Sequence, residues 1–167
     1  YQLYYHREAV VSFLQKHMDA EAFAKLLDSD LNWCTKVIGA DSKNYHAWSY
    51  RQWVITSFPE ASDLAKEKRF FAFAIKFDPH NNSAWNYRFY MRYMIPGAAV
   101  APEDVMEDIE YTIALISRSP KYPAPWNYLD SLMALPCARE DKSFLARAKA
   151  FAEEACSKYP LCSHCVV

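Results

Sequence analysis

Three short phrases in this chain hold cationic and amide side chains at fixed offsets from a tryptophan. They read Asp41-Ser-Lys-Asn-Tyr-His-Ala-Trp-Ser-Tyr-Arg51, Asp78-Pro-His-Asn-Asn-Ser-Ala-Trp-Asn-Tyr-Arg88 and Ser119-Pro-Lys-Tyr-Pro-Ala-Pro-Trp-Asn-Tyr-Leu129. Five residues before each Trp stand Lys43, His80 and Lys121; four before it stand Asn44, Asn81 and Tyr122. A donor-rich, partly cationic stripe beside helix N-termini suits a phosphate or carboxylate, because the free N–H groups there also favour anions. The competing reading is solvated loop polarity, with Asn as a turn residue.

The spacing of these phrases fixes the elements that must carry them. Trp48, Trp85 and Trp126 lie 37 and 41 residues apart, and a degraded copy opens the chain, with Tyr4 and Arg7 in the Trp and Arg slots. Self-similarity at this period marks a repeat array. Each unit reads as two helices. Phe70, Phe73, Ala74 and Phe77 are spaced i, i+3, i+4, i+7; Val105, Ile109, Thr112 and Ile116 form a second such face, and Phe144, Ala148, Phe151 and Ala155 a third. Pro102 with Glu103 and Asp104 is a helix start, as is Ser62 acting as an N-cap; stops are expected at Gly39, Pro59, Pro79, Pro96-Gly97, Pro120 and Pro136. The pattern predicts helices near 1–17, 20–38, 44–57, 62–77, 81–95, 102–117, 124–135 and 141–158, with 18–28 read as an insertion between repeats. One helix pair cannot bury its faces alone, so the pairs are expected to stack into an all-α, α-α superhelix of helical hairpins, a single repeat domain over 1–167 with junctions near 1–7, 41–53, 78–90 and 119–131.

Composition narrows the function classes. A net charge of −1 argues against nucleic-acid binding through a general basic field. Only two glycines occur, which disfavours strand-and-turn folds and Gly-rich phosphate loops. Five cysteines, an odd number placed mostly in helical patterns, suit a reducing compartment, and with no signal peptide or spanning apolar run the expected location is cytoplasmic. The chain opens at Tyr1 inside a repeat copy, so it is expected to be a fragment of a longer subunit.

Among single residues, Trp48, Trp85 and Trp126 are expected in the core. Arg51 and Arg88, one turn later on the same face, are expected in structural ion pairs or carbonyl contacts rather than at a ligand, since a buried Arg must be paired. Cys162-Ser-His-Cys165 invites a zinc reading, but no second ligand pair matches it, so no metal site is expected in this chain. No nucleophile, His and acid come together as a catalytic set.

The stretches Asn-Tyr-His-Ala-Trp-Ser-Tyr-Arg-Gln-Trp (44–53), Asn-Asn-Ser-Ala-Trp-Asn-Tyr-Arg (81–88) and Pro-Trp-Asn-Tyr-Leu (125–129) resemble the α-subunit repeats of protein prenyltransferases, above all the subunit shared by farnesyltransferase and type I geranylgeranyltransferase. The resemblance implies a crescent of hairpins embracing a β subunit, inactive without it, in a heterodimer that moves an isoprenoid from its diphosphate to the cysteine of CaaX-terminated proteins. It implies zinc and magnesium in the holoenzyme, with the zinc on β. It places Lys43 at the diphosphate as the catalytic cation. Tyr45, Asn44, His46, Asn81 and Tyr1 become substrate- or interface-facing residues. Tyr4 in place of Trp and Leu129 in place of Arg depart from the pattern. Two other readings share features of the repeat: a Rab geranylgeranyltransferase α subunit, and a tetratricopeptide-like peptide scaffold without chemistry. The scaffold's period of about 34 and its first-helix Gly do not fit here.

Overall fold

The computed structural model describes residues 2–59, 63–95 and 100–160, and all regular structure among them is helical. The chain falls into two compact units, 1–67 and 68–167.

In the first unit, α1 (Gln2–Gln15), α2 (Ala20–Ala40) and α3 (Tyr45–Ser57) pack against one another. The segment read as an insertion is the opening of α2. Asp19 caps it, its carboxylate accepting from the Ala22 N–H at 2.9 Å, and Glu21 lies in the first turn, where the helix dipole favours an acid. The helix passes through Gly39 to Ala40 instead of stopping at the glycine. Phe23, Leu27, Leu31, Cys34 and Ile38 are its buried stripe, and α2 packs on α3, whose own buried residues include Trp48, Val54 and Ile55.

α4 (Leu64–Phe77) starts in the first unit and runs into the second. Its cap is Asp63, whose carboxylate accepts from the N–H groups of Ala65 and Lys66; Ser62 lies outside the described residues. The apolar face expected here is turned round. Phe71 and Ile75 are in the core, whereas Phe73 and Phe77 are 69% and 80% exposed. Both sets have helical spacing and both are apolar, so periodicity could not choose; buried Glu67, one turn before Phe71, marks the inner face.

The second unit continues with α5 (Asn82–Phe89), which passes directly into a π turn, Tyr90–Met94, then α6 (Pro102–Arg118), α7 (Pro123–Met133), α8 (Pro136–Glu140) and α9 (Lys142–Lys158). α7 packs on α5 and α6, and α9 closes against α6 and α7. The expected faces Val105/Ile109/Thr112/Ile116 and Phe144/Ala148/Phe151/Ala155 are all buried. Pro136, expected to stop a helix, opens the short α8 at its first position, where its missing N–H costs nothing. Asp141 closes α8 and caps α9 through the Ser143 N–H at 2.8 Å. Pro96-Gly97 lies outside the described residues.

Candidate functional site

Each repeated phrase folds the same way. The indole N–H of Trp48, Trp85 and Trp126 donates to the carbonyl six residues earlier, Ser42, Pro79 and Pro120, at 2.9, 2.8 and 2.9 Å. The Trp thereby ties the turn before its helix to the core, and all three are buried as expected. Asn44 and Asn81 cap α3 and α5, their side-chain oxygens accepting from the N–H groups of Ala47 and Ser83 at 3.2 and 3.0 Å. The oxygens of these two expected interface residues therefore already serve the helices. In the first two copies the Asp two residues ahead of the slot accepts the slot's own backbone N–H, Asp41 from Lys43 and Asp78 from His80.

The arginines of the phrase are structural. Arg51, 1% exposed, makes a two-pronged ion pair with Glu67 at 2.8 and 2.7 Å and donates further to the Leu31 carbonyl and the Thr35 hydroxyl. Arg88 pairs with fully buried Asp108, its guanidinium lying 5.2 Å from the Phe71 ring centre and 4.7 Å from that of Tyr111. Asp108 also accepts from Tyr93 at 2.8 Å and from Tyr128, and Arg92 Nε approaches it at 3.1 Å. Arg7, in the degraded copy, pairs with buried Asp30, which accepts from Tyr50 at 2.5 Å.

Electrostatics follow this wiring. Burial, reinforced by Asp108, pushes the Tyr128 and Tyr93 hydroxyls above their ordinary pKa, and burial with Asp30 does the same to Tyr50. Burial opposes the charge on Arg88, but Asp108 outweighs it and holds the guanidinium protonated. Burial pushes the Cys34 thiol up to about 12, so it behaves as a small apolar residue. Sequence reasoning did not name Asp30, Glu67 or Asp108. A usable signal existed: Asp30 precedes Tyr50 by 20 residues and Asp108 precedes Tyr128 by 20, and Glu67 stands at the same distance before Tyr87.

What the fold does not consume lies at the opening of α3. Lys43 is exposed and makes no ion pair among the described residues. Tyr45 is 62% exposed, and its ring lies 3.9 Å from that of His46. His46 in turn stacks on Tyr4 of α1, planes 19° apart. This patch joins a cation to aromatic surface and can take an anion attached to an apolar body. His80 and Lys121 belong to the second unit, where His80 stacks on Tyr122. Tyr1, Cys162 and Cys165 lie outside the described residues. Among the described residues no three His, Cys, Asp or Glu side chains gather as metal ligands, and no helix is long and apolar enough to cross a membrane.

The protein prenyltransferase alpha subunit repeat matches residues 27–58 and 64–94, the two stretches that hold Trp48 with Arg51 and Trp85 with Arg88. Two stretches of the chain thus match this repeat, and the chain is similar to protein prenyltransferase α subunits. Its relatives include the geranylgeranyl transferase type-2 subunit alpha of Rattus norvegicus, 28% identical over 127 residues, and that of Homo sapiens, 27% identical. These alignments cover 76% of the chain but 21% of the relatives' length. A solved structure, Candida albicans protein geranylgeranyltransferase-I complexed with GGPP, shares the fold with a TM-score of 0.71 and 24% identity, over 92% of this chain and 47% of that one. The repeats matched are those with an intact Trp-x-x-Arg; the third phrase, where buried Leu129 replaces Arg, falls outside the match.

Proposed function

We propose that this chain is part of the α subunit of a heterodimeric CaaX protein prenyltransferase of the farnesyltransferase or type I geranylgeranyltransferase kind, working in the cytoplasm and inactive without its β subunit. The observation that carries the reading is the division of labour within one phrase. Asn44, Trp48 and Arg51 are committed to cap, core and ion pair, while Lys43 and Tyr45, between and beside them, face solvent. A repeat needs no exposed cation and aromatic at that point; a shared active site does.

In this reading Lys43 receives the diphosphate. The substrate thiolate forms a bond to C1 of the isoprenoid, the C1–oxygen bond breaks, and the diphosphate leaves with the electron pair. A cation held where that negative charge gathers lowers the barrier. Tyr45, with His46 and Tyr4 behind it, offers aromatic surface to the isoprenoid or the peptide. The β subunit would supply the remaining pocket; zinc held there would favour the substrate cysteine as its thiolate, and magnesium would offset charge on the diphosphate. In this reading Asn81 and Tyr1, at the related slots of other copies of the repeat, also serve the substrate or the interface.

The experiment is single-turnover transfer by an assembled α–β enzyme. Lys43→Ala should slow the chemical step by roughly tenfold to a thousandfold and lower kcat more than it raises KM. Lys43→Arg should restore only part of the rate, because a broad guanidinium does not reproduce a point charge. Lys121→Ala should have little effect. Equal rates for the two alanine variants would refute the assignment.

A second reading has its own support. The type-2 α subunits among the relatives favour a geranylgeranyl transferase acting on Rab proteins. Transfer to a Rab protein but to no CaaX peptide would select it.

A further inference from the structure

α4 turns an aromatic edge to solvent. Phe73 and Phe77, one helical turn apart, are 69% and 80% exposed, and their rings lie 6.4 Å apart with planes 18° from parallel. Rings exposed to that degree project from the surface and do not line a groove. The core does not use them, since Phe71 and Ile75 fill the inner face of the same helix. Two adjoining rings form a patch, which a singly scattered apolar residue does not.

The charge beside this patch has one sign. Arg69 continues the stripe of Phe73 and Phe77 toward the helix start, and Lys68 and Lys76 flank it; all three cations are exposed. Lys76 lies in the last turn, where the helix dipole favours it. Lys68 and Arg69 lie in the N-terminal half, where the dipole offers a cation nothing, and neither pairs with an acid among the described residues. The acids of this segment are already committed. Asp63 caps α4, Glu67 is buried against Arg51, and Asp78 accepts the His80 N–H.

We infer that this face of α4 docks on an anionic membrane surface. Phe73 and Phe77 enter the boundary between headgroups and acyl chains, and Lys68, Arg69 and Lys76 meet the negative headgroups. Exposed Phe with Lys and Arg is the side-chain combination of helices that lie in a membrane interface, and the cations complement the charge of an anionic leaflet. A partner helix would have to offer the projecting rings a groove, whereas a bilayer admits them without one. The contact is peripheral, since no described helix is long and apolar enough to span. The inference does not rest on the prenyltransferase reading and uses no residue of the Lys43 patch.

The test is cosedimentation of the whole chain with vesicles of about three parts phosphatidylcholine to one part phosphatidylserine. The expected result is saturable binding that weakens about tenfold or more on pure phosphatidylcholine and falls as salt rises. Phe73→Gln with Phe77→Gln should weaken it about tenfold or more, as should Lys68→Glu with Arg69→Glu, with the helical circular dichroism unchanged because all four side chains lie outside the core. Phe13→Gln, on the exposed side of α1, should bind as the parent does. The two double variants keep the test decisive should one of them misfold. Absence of vesicle binding, equal binding to neutral vesicles, or parent-like binding by both double variants would overturn the inference. So would a dimer of the chain that forms without vesicles and is lost in Phe73→Gln with Phe77→Gln, or vesicle binding abolished by a protein subunit that covers α4. None of these results bears on prenyl transfer, which is assayed separately.

Discussion

Arg51 and Arg88 occupy the same slot of nearly the same phrase, yet the charges around them are arranged in opposite ways. At Arg51 the cation is the centre: one guanidinium gathers both oxygens of Glu67, the Leu31 carbonyl and the Thr35 hydroxyl. At Arg88 the anion is the centre: the carboxylate of Asp108 gathers Arg88, Arg92, Tyr93 and Tyr128, while Arg88 Nε has no partner among the described residues. The π turn Tyr90–Met94 makes the difference, because it contributes Arg92 and Tyr93 to Asp108; α3 runs on as a regular helix at the corresponding place. The repeat therefore specifies where a buried charge sits and leaves its partners free to vary. A second contrast lies within each phrase, between buried letters that build the junction and exposed ones that do not.

The first contrast breaks most sharply at the anion. Asp108→Ala removes the one acceptor shared by four donors and should cost about 3–5 kcal/mol, the range for stranding a buried ionic partner. Glu67→Ala should cost less, since Arg51 keeps the Leu31 carbonyl and Thr35. Urea unfolding followed by circular dichroism compares the two, and equal losses would erase the distinction.

Replacing whole pairs sharpens the point. Arg51→Met with Glu67→Leu should leave stability within about 1 kcal/mol of the parent, because well-packed apolar residues can stand in for a buried pair. Arg88→Met with Asp108→Leu should still lose about 1–3 kcal/mol, since the Tyr128 hydroxyl is left buried without its acceptor. Matching losses in the two double variants would contradict the two-centre description.

Smaller effects come from the tyrosines. Tyr128→Phe should cost about 1 kcal/mol at neutral pH but alter the alkaline limb more. The folded pKa values of Tyr50, Tyr93 and Tyr128 lie above the ordinary 10.0. The unfolded chain therefore releases these protons first. The stability they confer is complete below pH 10 and is lost as pH rises above it. Unfolding midpoints measured from pH 8 to pH 11 should fall beyond pH 10, and less steeply in Tyr128→Phe. The helix caps come last: Asn44→Ala and Asn81→Ala should each cost about 1 kcal/mol, with Asn81 the larger because it is 2% exposed.

The sequence made the junctions legible because Trp, Asn and Arg recur at fixed offsets and each has one dominant structural use. Trp48, Trp85 and Trp126 could be assigned to the core and Arg51 and Arg88 to ion pairs without coordinates. Their acidic partners could not, since Asp30, Glu67 and Asp108 look like any of the 20 acids on a helical chain until the Tyr spacing is noticed. The inner face of α4 was hidden by an excess of apolar letters: Phe70, Phe73 and Phe77 compete with Phe71 and Ile75, and only the buried Glu67 decides. The π turn left no sign in residue type, because Tyr90-Met-Arg-Tyr-Met94 suits a regular helix equally well. At the candidate site, the type and offset of Lys43 and Tyr45 were readable, but their exposure, and the stacking of His46 on Tyr4, required the fold.

The functional account rests on a division between this chain and a β subunit, and one measurement addresses it directly: the initial rate of prenyl transfer to a CaaX peptide at fixed chain concentration, with zinc and magnesium present, as β subunit is added. The account predicts no transfer without β and a rate that rises to a plateau as β reaches equivalence with the chain. Robust turnover by the chain alone, or a rate set by β and unchanged when the chain is omitted, would contradict it.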